Sequence, residues 1–149
     1  MIFADFKKFV TDVPPAGRVL GVDWGAKRVG LAVSDASREF VFPREIVDNA
    51  PIDSIVNIVD SERIVGIVVG LPKHADGSDS ETTAKVREFA KELAAATDTP
   101  IAFIDEKLTS VAAREIKSAI SNHKSAIDAA AAAVILEDAV AMMKRIGYV

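Results

Sequence analysis

A carboxylate inside an apolar strand is a costly thing for a chain to carry, and residues 18–35, RVLGVDWGAKRVGLAVSD, contain one. The runs RVLGVDW and RVGLAVS read as two short β-strands, rich in Val and Leu. Gly25, Ala26 and Lys27 form the turn that reverses the backbone between them. Asp23 falls between Val22 and Trp24, with Val19 and Leu20 upstream. Leaving even a neutral polar group unpaired in apolar surroundings costs roughly 2–7 kcal/mol. Asp23 is therefore paired, metal-bound or at the mouth of a site.

The rest of the chain builds around this hairpin. Residues 1–17 form a leader that ends in VPPAG, which stops any helix before the first strand. Its start, IFADFKKFV, has the pattern of one short amphipathic turn of helix, but reads rather as a mobile or loosely docked arm. Residues 39–47 (EFVFPREIV) read as a third strand, with Pro43 marking an edge or a bulge. Asp48 or Asn49 then caps a helix with Pro51 in its first turn and Ile52, Ile55, Val56 and Val59 on its buried stripe. IVGIVVG, residues 64–70, is apolar on both faces, as a central strand requires. After the loop LPKHADGSDS, Ser78 and Glu81 have capping-box spacing, opening a helix that runs to about Ala96 and buries Val86, Phe89, Ala90 and Leu93. PIAFID, residues 100–105, is another strand, Thr109 caps a helix to Ile120, and a long helix covers residues 126–146. A three-strand antiparallel meander followed by βα units gives an α/β fold. Its mixed five-stranded sheet carries helices on both faces, in one domain over residues 18–149.

Half of the 149 residues are hydrophobic, enough for a substantial core. With a net charge of −4, the chain can hold nucleic acid only through a local basic patch. It has no cysteine, which excludes disulfides and thiolate metal sites. No apolar run approaches the roughly 18 residues of a membrane span. The N-terminus, with its early Asp5, does not read as a signal peptide. The expected location is the cytoplasm.

Three further carboxylates compete with ordinary structural roles. At about 100° per residue, Ala132, Ile135, Ala139 and Ile146 fall within about 40° of Asp128, which places this acid on the inner face of the last helix. Ser125 and Asp128 also have the spacing of an N-terminal cap, and both roles can hold together. Asp105 and Glu106 end an apolar strand, where open α/β sheets place ligands, although solvated strand ends look the same. Asp35 reads as a turn or cap, Asp76-Gly77 as a turn, and His74 and His123 as solvated loop residues. Lys27, Arg28, Lys73, Lys107 and Lys124 all fall in loops or at element ends. Singly each is a surface charge; gathered around the carboxylates they would form a phosphate-binding rim.

GVDWGAKRVGLAVSD, IVVGLPKHADGS, DEKLTS and SAIDAAAAAVIL, in that order, resemble the YqgF/RuvX family from Arg18 onward. These are pre-16S ribosomal RNA nucleases, also described as Holliday junction resolvases, with a ribonuclease H-like fold. The resemblance implies catalytic and metal-binding acids at Asp23, Glu106 and Asp128, with Asp105 in the same motif as an additional acid. It departs at Lys107, where the family usually has Arg, at Ser110, usually Thr, and near His74, where Asn is more common. Clustered carboxylates repel unless a cation neutralises them, and oxygen-only ligands select hard ions, so Mg2+ or Mn2+ is expected. Two such ions suit in-line phosphodiester hydrolysis, with Lys27 and Lys107 offsetting charge on the phosphate. The partner implied is nucleic acid, structured RNA before branched DNA. A DNA four-way junction would require a homodimer for symmetric cutting, through the leader or the exposed side of the last helix. A non-catalytic nucleic-acid-binding or transcription-associated module remains open. GVDWG…SD also resembles the phosphate-binding hairpin of sugar kinases and actin-like ATPases, but those enclose ATP between two such domains and this chain supplies one.

Overall fold

The apolar runs assemble into a six-stranded sheet. The computed structural model describes residues 1–47, 50–74, 76–106 and 124–147, with the side chains of 45–47 and 124–129 outside that description. In chain order the elements are β1 (Ile2–Phe3), α1 (Phe6–Asp12), β2 (Arg18–Trp24), β3 (Val29–Ser34), β4 (Val41–Val47), α2 (Pro51–Glu62), β5 (Ile64–Pro72), α3 (Glu81–Ala96), β6 (Ile101–Glu106) and α4 (Lys124–Ile146). The helix expected over 109–120, and with it Lys107 and His123, lies outside the described residues. Among those residues no helix is long and apolar enough to cross a membrane.

Across the sheet the order is β4-β3-β2-β5-β6-β1. The hairpin sits at its centre: β2 pairs antiparallel with β3 (Leu20↔Val33, Trp24↔Val29) and parallel with β5 (Leu20↔Ile67, Val22↔Val69). Strand β4 closes the meander at one edge, and its register against β3 shifts between Gly30 and Ala32, the latter paired with Pro43. The proline thus marks both an edge and a bulge, as its missing N–H dictates. The sixth strand comes from the leader, since Ile2 and Phe3 pair with Ile101 and Ala102 of β6. The segment expected as a loosely docked arm is instead part of the sheet and core, with Phe9 fully buried and Val10 and Val13 nearly so.

Two apolar layers flank the sheet. On one side Ile55, Ile58 and Val59 of α2 and Val86, Phe89 and Leu93 of α3 pack on Leu20, Val22, Ile67 and Val69. Ile58 takes the inner position expected for Val56, which is half-buried. On the other side α1 and α4 cover Val19, Ala32, Val68, Ala102 and Ile104. Helix α3 is capped by Ser80 and Thr83, not by Ser78 and Glu81. The Ser78 hydroxyl is already engaged with the Asp76 carboxylate at 2.6 Å. Ser80 instead accepts from Thr83 N–H, and Thr83 Oγ1 accepts from Ser80 N–H at 2.9 Å. Ala50, in the left-handed region at φ 49°, precedes Pro51 at the start of α2, while Asp48 and Asn49 lie outside the described residues.

The last helix approaches the central strand closely because Gly21 has no side chain. A Cβ there would stand 2.8 Å from Leu136 Cβ and 2.9 Å from the Ala132 carbonyl oxygen, both held by the helix backbone. Ala132, Ile135 and Ala139 are buried on this contact, as the helical spacing predicts. We expect Gly21→Ala to cost about 1–3 kcal/mol as overpacking. A thermal melt equal to that of the parent would refute the close approach.

Asp35 organises the connection from β3 to β4. Its carboxylate accepts from Ser37 Oγ at 2.7 Å, Glu39 N–H at 2.9 Å and Phe40 N–H at 3.0 Å. The Ser37 hydroxyl first, and then the Phe40 amide, hold the Asp35 carboxyl below the usual carboxylate range. A folded pKa that is depressed adds stability above the unfolded value of about 3.9 and loses it as pH falls through the folded value. Asp35→Asn should therefore lower the melting temperature at neutral pH, with the gap to the parent closing below about pH 4. A gap that persists unchanged into acid would show that the charge has no part in it.

Candidate active site

Strand alternation and the parallel register bring two of the expected acids to one face. Val22 points into the α2/α3 layer, so Asp23 points to the α4 side, where it is only 8% exposed. The β2–β5 register, carried one residue past Val22↔Val69, sets Asp23 beside Gly70. On the far side of β5, Gly70 pairs with Ile104, a member of the α4 layer, and Glu106 two residues on shares that face. Gly70 forms the gap between the two strands that carry the acids. A Cβ there would collide with Ile135 Cδ1 of α4 and lie 3.3 Å from Glu106 Cγ. Asp23 and half-buried Glu106 thus flank a side-chain-free position at the carboxyl ends of parallel strands, beneath α4. This is where open α/β sheets bind ligands.

Asp128, the third expected acid, is in α4 one turn before Ala132, whose carbonyl abuts Gly21. Its side chain lies outside the described part, as does that of Lys124. Helix α4 already includes Lys124, so Ser125 lies within it and is not its N-cap. Among the described residues no three His, Cys, Asp or Glu side chains form a metal-binding group. Asp105 is not brought to the pair. Alternation along β6 turns it away from Glu106, and its exposed carboxylate meets Lys73 Nζ at 3.6 Å.

Of the expected cations, exposed Lys27 and half-buried Arg28 occupy the tip of the β2–β3 hairpin, directly after Asp23 and Trp24. Lys73 follows the end of β5, at the same end of the sheet, and Lys107 lies outside the described residues. His74 is exposed, and Asp76 accepts from Ser78 in a turn, as the sequence suggests. Sequence reasoning missed Arg38, buried at a left-handed φ of 60° and donating to the Gly17 carbonyl at 2.9 Å and to the Pro14 carbonyl. Nothing in its neighbourhood distinguishes it from a surface arginine.

The family model for RuvX, described as a Holliday junction resolvase, matches residues 17–142. The chain belongs to the RuvX family. A relative from Maridesulfovibrio salexigens, named Putative pre-16S rRNA nuclease, is 41% identical over 128 residues, covering 80% of this chain and 95% of the relative. A protein of the same name from Rhizobium meliloti is 33% identical over 147 residues, covering 93% and 89% of the two chains. Among solved structures, RuvC of T. thermophilus in complex with a Holliday junction substrate superposes with a TM-score of 0.54 at 18% identity, over 85% of this chain and 96% of that one. That likeness bears out the ribonuclease H-like fold, with one strand more than the five expected. RuvX is a nuclease family, and its substrates are nucleic acids.

Proposed function

We propose that this chain is a divalent-metal-dependent endonuclease of ribosomal RNA precursors, acting in the cytoplasm at the 5′ end of 16S RNA. What supports this reading most is the placement of Asp23 and Glu106 on one face, flanking Gly70 at the carboxyl ends of parallel strands, in a RuvX-family chain. The donor set consists of carboxylate oxygens alone, which fits Mg2+ or Mn2+ and no softer ion. Asp23, Glu106 and Asp128 would hold the metal. Bound there, it supplies Lewis-acid charge and a nucleophilic water at neutral pH.

The remaining work belongs to the chain itself. Lys27 and Arg28 at the hairpin tip and Lys73 at the end of β5 hold the phosphates of the strand to be cut, with Lys107 and Lys124 as further contacts. Asp105 keeps Lys73 at that end of the sheet. The burial of Asp23 fixes its carboxylate in direction, so the charge needs no reorganisation when substrate arrives.

The family description favours a second substrate, a four-way DNA junction. Both readings are tested together by incubating the protein with labelled precursor 16S 5′ RNA and with a synthetic junction, in Mg2+ or Mn2+. Cutting of the RNA supports the proposal. Junction cutting alone, by a dimer, assigns the chain to recombination, and binding without cutting makes it a non-catalytic module.

A further inference from the structure

Trp24 follows Asp23 in β2 and therefore faces the opposite side of the sheet, where it opens onto a groove of about 630 Å³ between α2 and α3. The volume is that of a small-molecule site. Its floor is apolar and partly aromatic: half-buried Trp24, Ile52 and buried Phe89, with the Trp24 and Phe89 ring centroids 6.5 Å apart. Its rim is acidic, with exposed Asp53, Glu88 and Glu92 facing one cation, Lys85.

We propose that this groove is a nucleobase subsite, which receives an unpaired base of the strand whose phosphate lies at Asp23. The inference rests on the nuclease reading above. Three observations lead to it. The groove and the acids lie at the same end of the sheet, on its two faces, because Asp23 and Trp24 are the last two residues of β2. Half-buried Trp24 gives the floor an indole ring on which any base can stack, while Phe89, tilted 46° to it, backs that ring from within the core. The rim carboxylates repel phosphate yet accept from base N–H groups, while Lys27 and Arg28, next along the hairpin, take the backbone charge. A strand crossing here places its phosphates on the hairpin tip and turns one base into the groove. Guanine suits the rim best, because its N1–H and amino group present two adjacent donors to a carboxylate, whereas uracil has no amino group.

The chain has one tryptophan, so all tryptophan emission comes from Trp24 on the floor of this groove. The experiment titrates the full chain in Mg2+, in the Asp23→Asn background so that the oligonucleotide stays whole. The ligands are hexauridylate and the same hexanucleotide with one central guanosine, and anisotropy of a labelled end is followed alongside emission. We expect both to quench Trp24, the guanosine oligonucleotide binding several-fold more tightly. Trp24→Leu should weaken binding roughly 5- to 150-fold by anisotropy, the value of one stacked base. The exposed pair Asp53→Asn and Glu92→Gln should erase the guanosine preference while lowering the melting temperature by no more than a few degrees, since Asp53 lies in the first turn of α2. Binding by anisotropy with Trp24 emission and all affinities unchanged overturns the subsite, while RNA cleavage by the parent leaves the nuclease reading standing. Quenching by a lysine-rich amphipathic peptide and not by either oligonucleotide overturns it in favour of a protein-docking groove. If the parent neither binds nor cuts RNA, both readings fall.

Discussion

Asp23→Asn should lower metal-dependent cleavage by roughly 1,000-fold, since a catalytic metal contributes several kcal/mol and each 1.36 kcal/mol is tenfold in rate. Asparagine keeps the size of the side chain and one oxygen, so the substitution removes charge and little else. Any fall in melting temperature should stay small beside the loss of activity, because asparagine fills the same space at this position, only 8% exposed, and keeps one carbonyl oxygen. A large fall in activity with little fall in stability is the signature of a residue retained for chemistry. A second readout avoids substrate altogether. Mg2+ or Mn2+ should raise the melting temperature of the parent and not of the variant, by preferential binding to the folded state. Cleavage by the variant at the parental rate would remove Asp23 from the mechanism. Loss of both cleavage and folding would show that its role is structural.

Most of this architecture could be read from the sequence because its signals are local and periodic. The hairpin, the doubly apolar β5 and the buried stripes of α3 and α4 each repeat at a spacing that belongs to one secondary structure. Asp23 was legible for the same reason, as a break in such a pattern. Glu106 was harder to separate from Asp105. Only the β5–β6 register and strand alternation show that one faces Gly70 and α4 while the other meets Lys73. The cap of α3 lies two residues beyond the place the sequence suggests, because Ser78 has the Glu three residues on that the capping-box pattern asks for, whereas Ser80 has Thr83. Choosing between them requires knowing that Asp76 already holds the Ser78 hydroxyl. Pairings distant in sequence were illegible altogether: the leader against β6, and Arg38 against the carbonyls of Pro14 and Gly17.

The leader is also where the largest loss of stability is expected. Phe9→Ala should cost about 3–5 kcal/mol, the range for a large side chain removed from a packed core. Phe9 is fully buried in α1 and packs with Val68, Ala102, Ile104 and residues of α4. Phe3 and Phe6 contact its ring at centroid distances of 6.3 and 5.5 Å. The family match starts at residue 17, so α1 lies outside it, while the residues Phe9 packs on, Val68, Ala102 and Ile104, lie within it. Ala102 and Ile104 share the face of β6 that carries Glu106. Domains of this size have only about 5–15 kcal/mol in total, so the variant should melt roughly 10 °C or more below the parent. Phe40→Ala supplies the control, since Phe40 is 61% exposed and its loss should change stability by less than about 0.5 kcal/mol. Equal melting temperatures for the two variants would mean that α1 leaves the body of the protein in solution. A drop confined to Phe9→Ala would establish that the leader folds with the nuclease domain as one cooperative unit. Cleavage should then fall with the folded fraction on heating, while the rate per folded molecule at low temperature stays that of the parent.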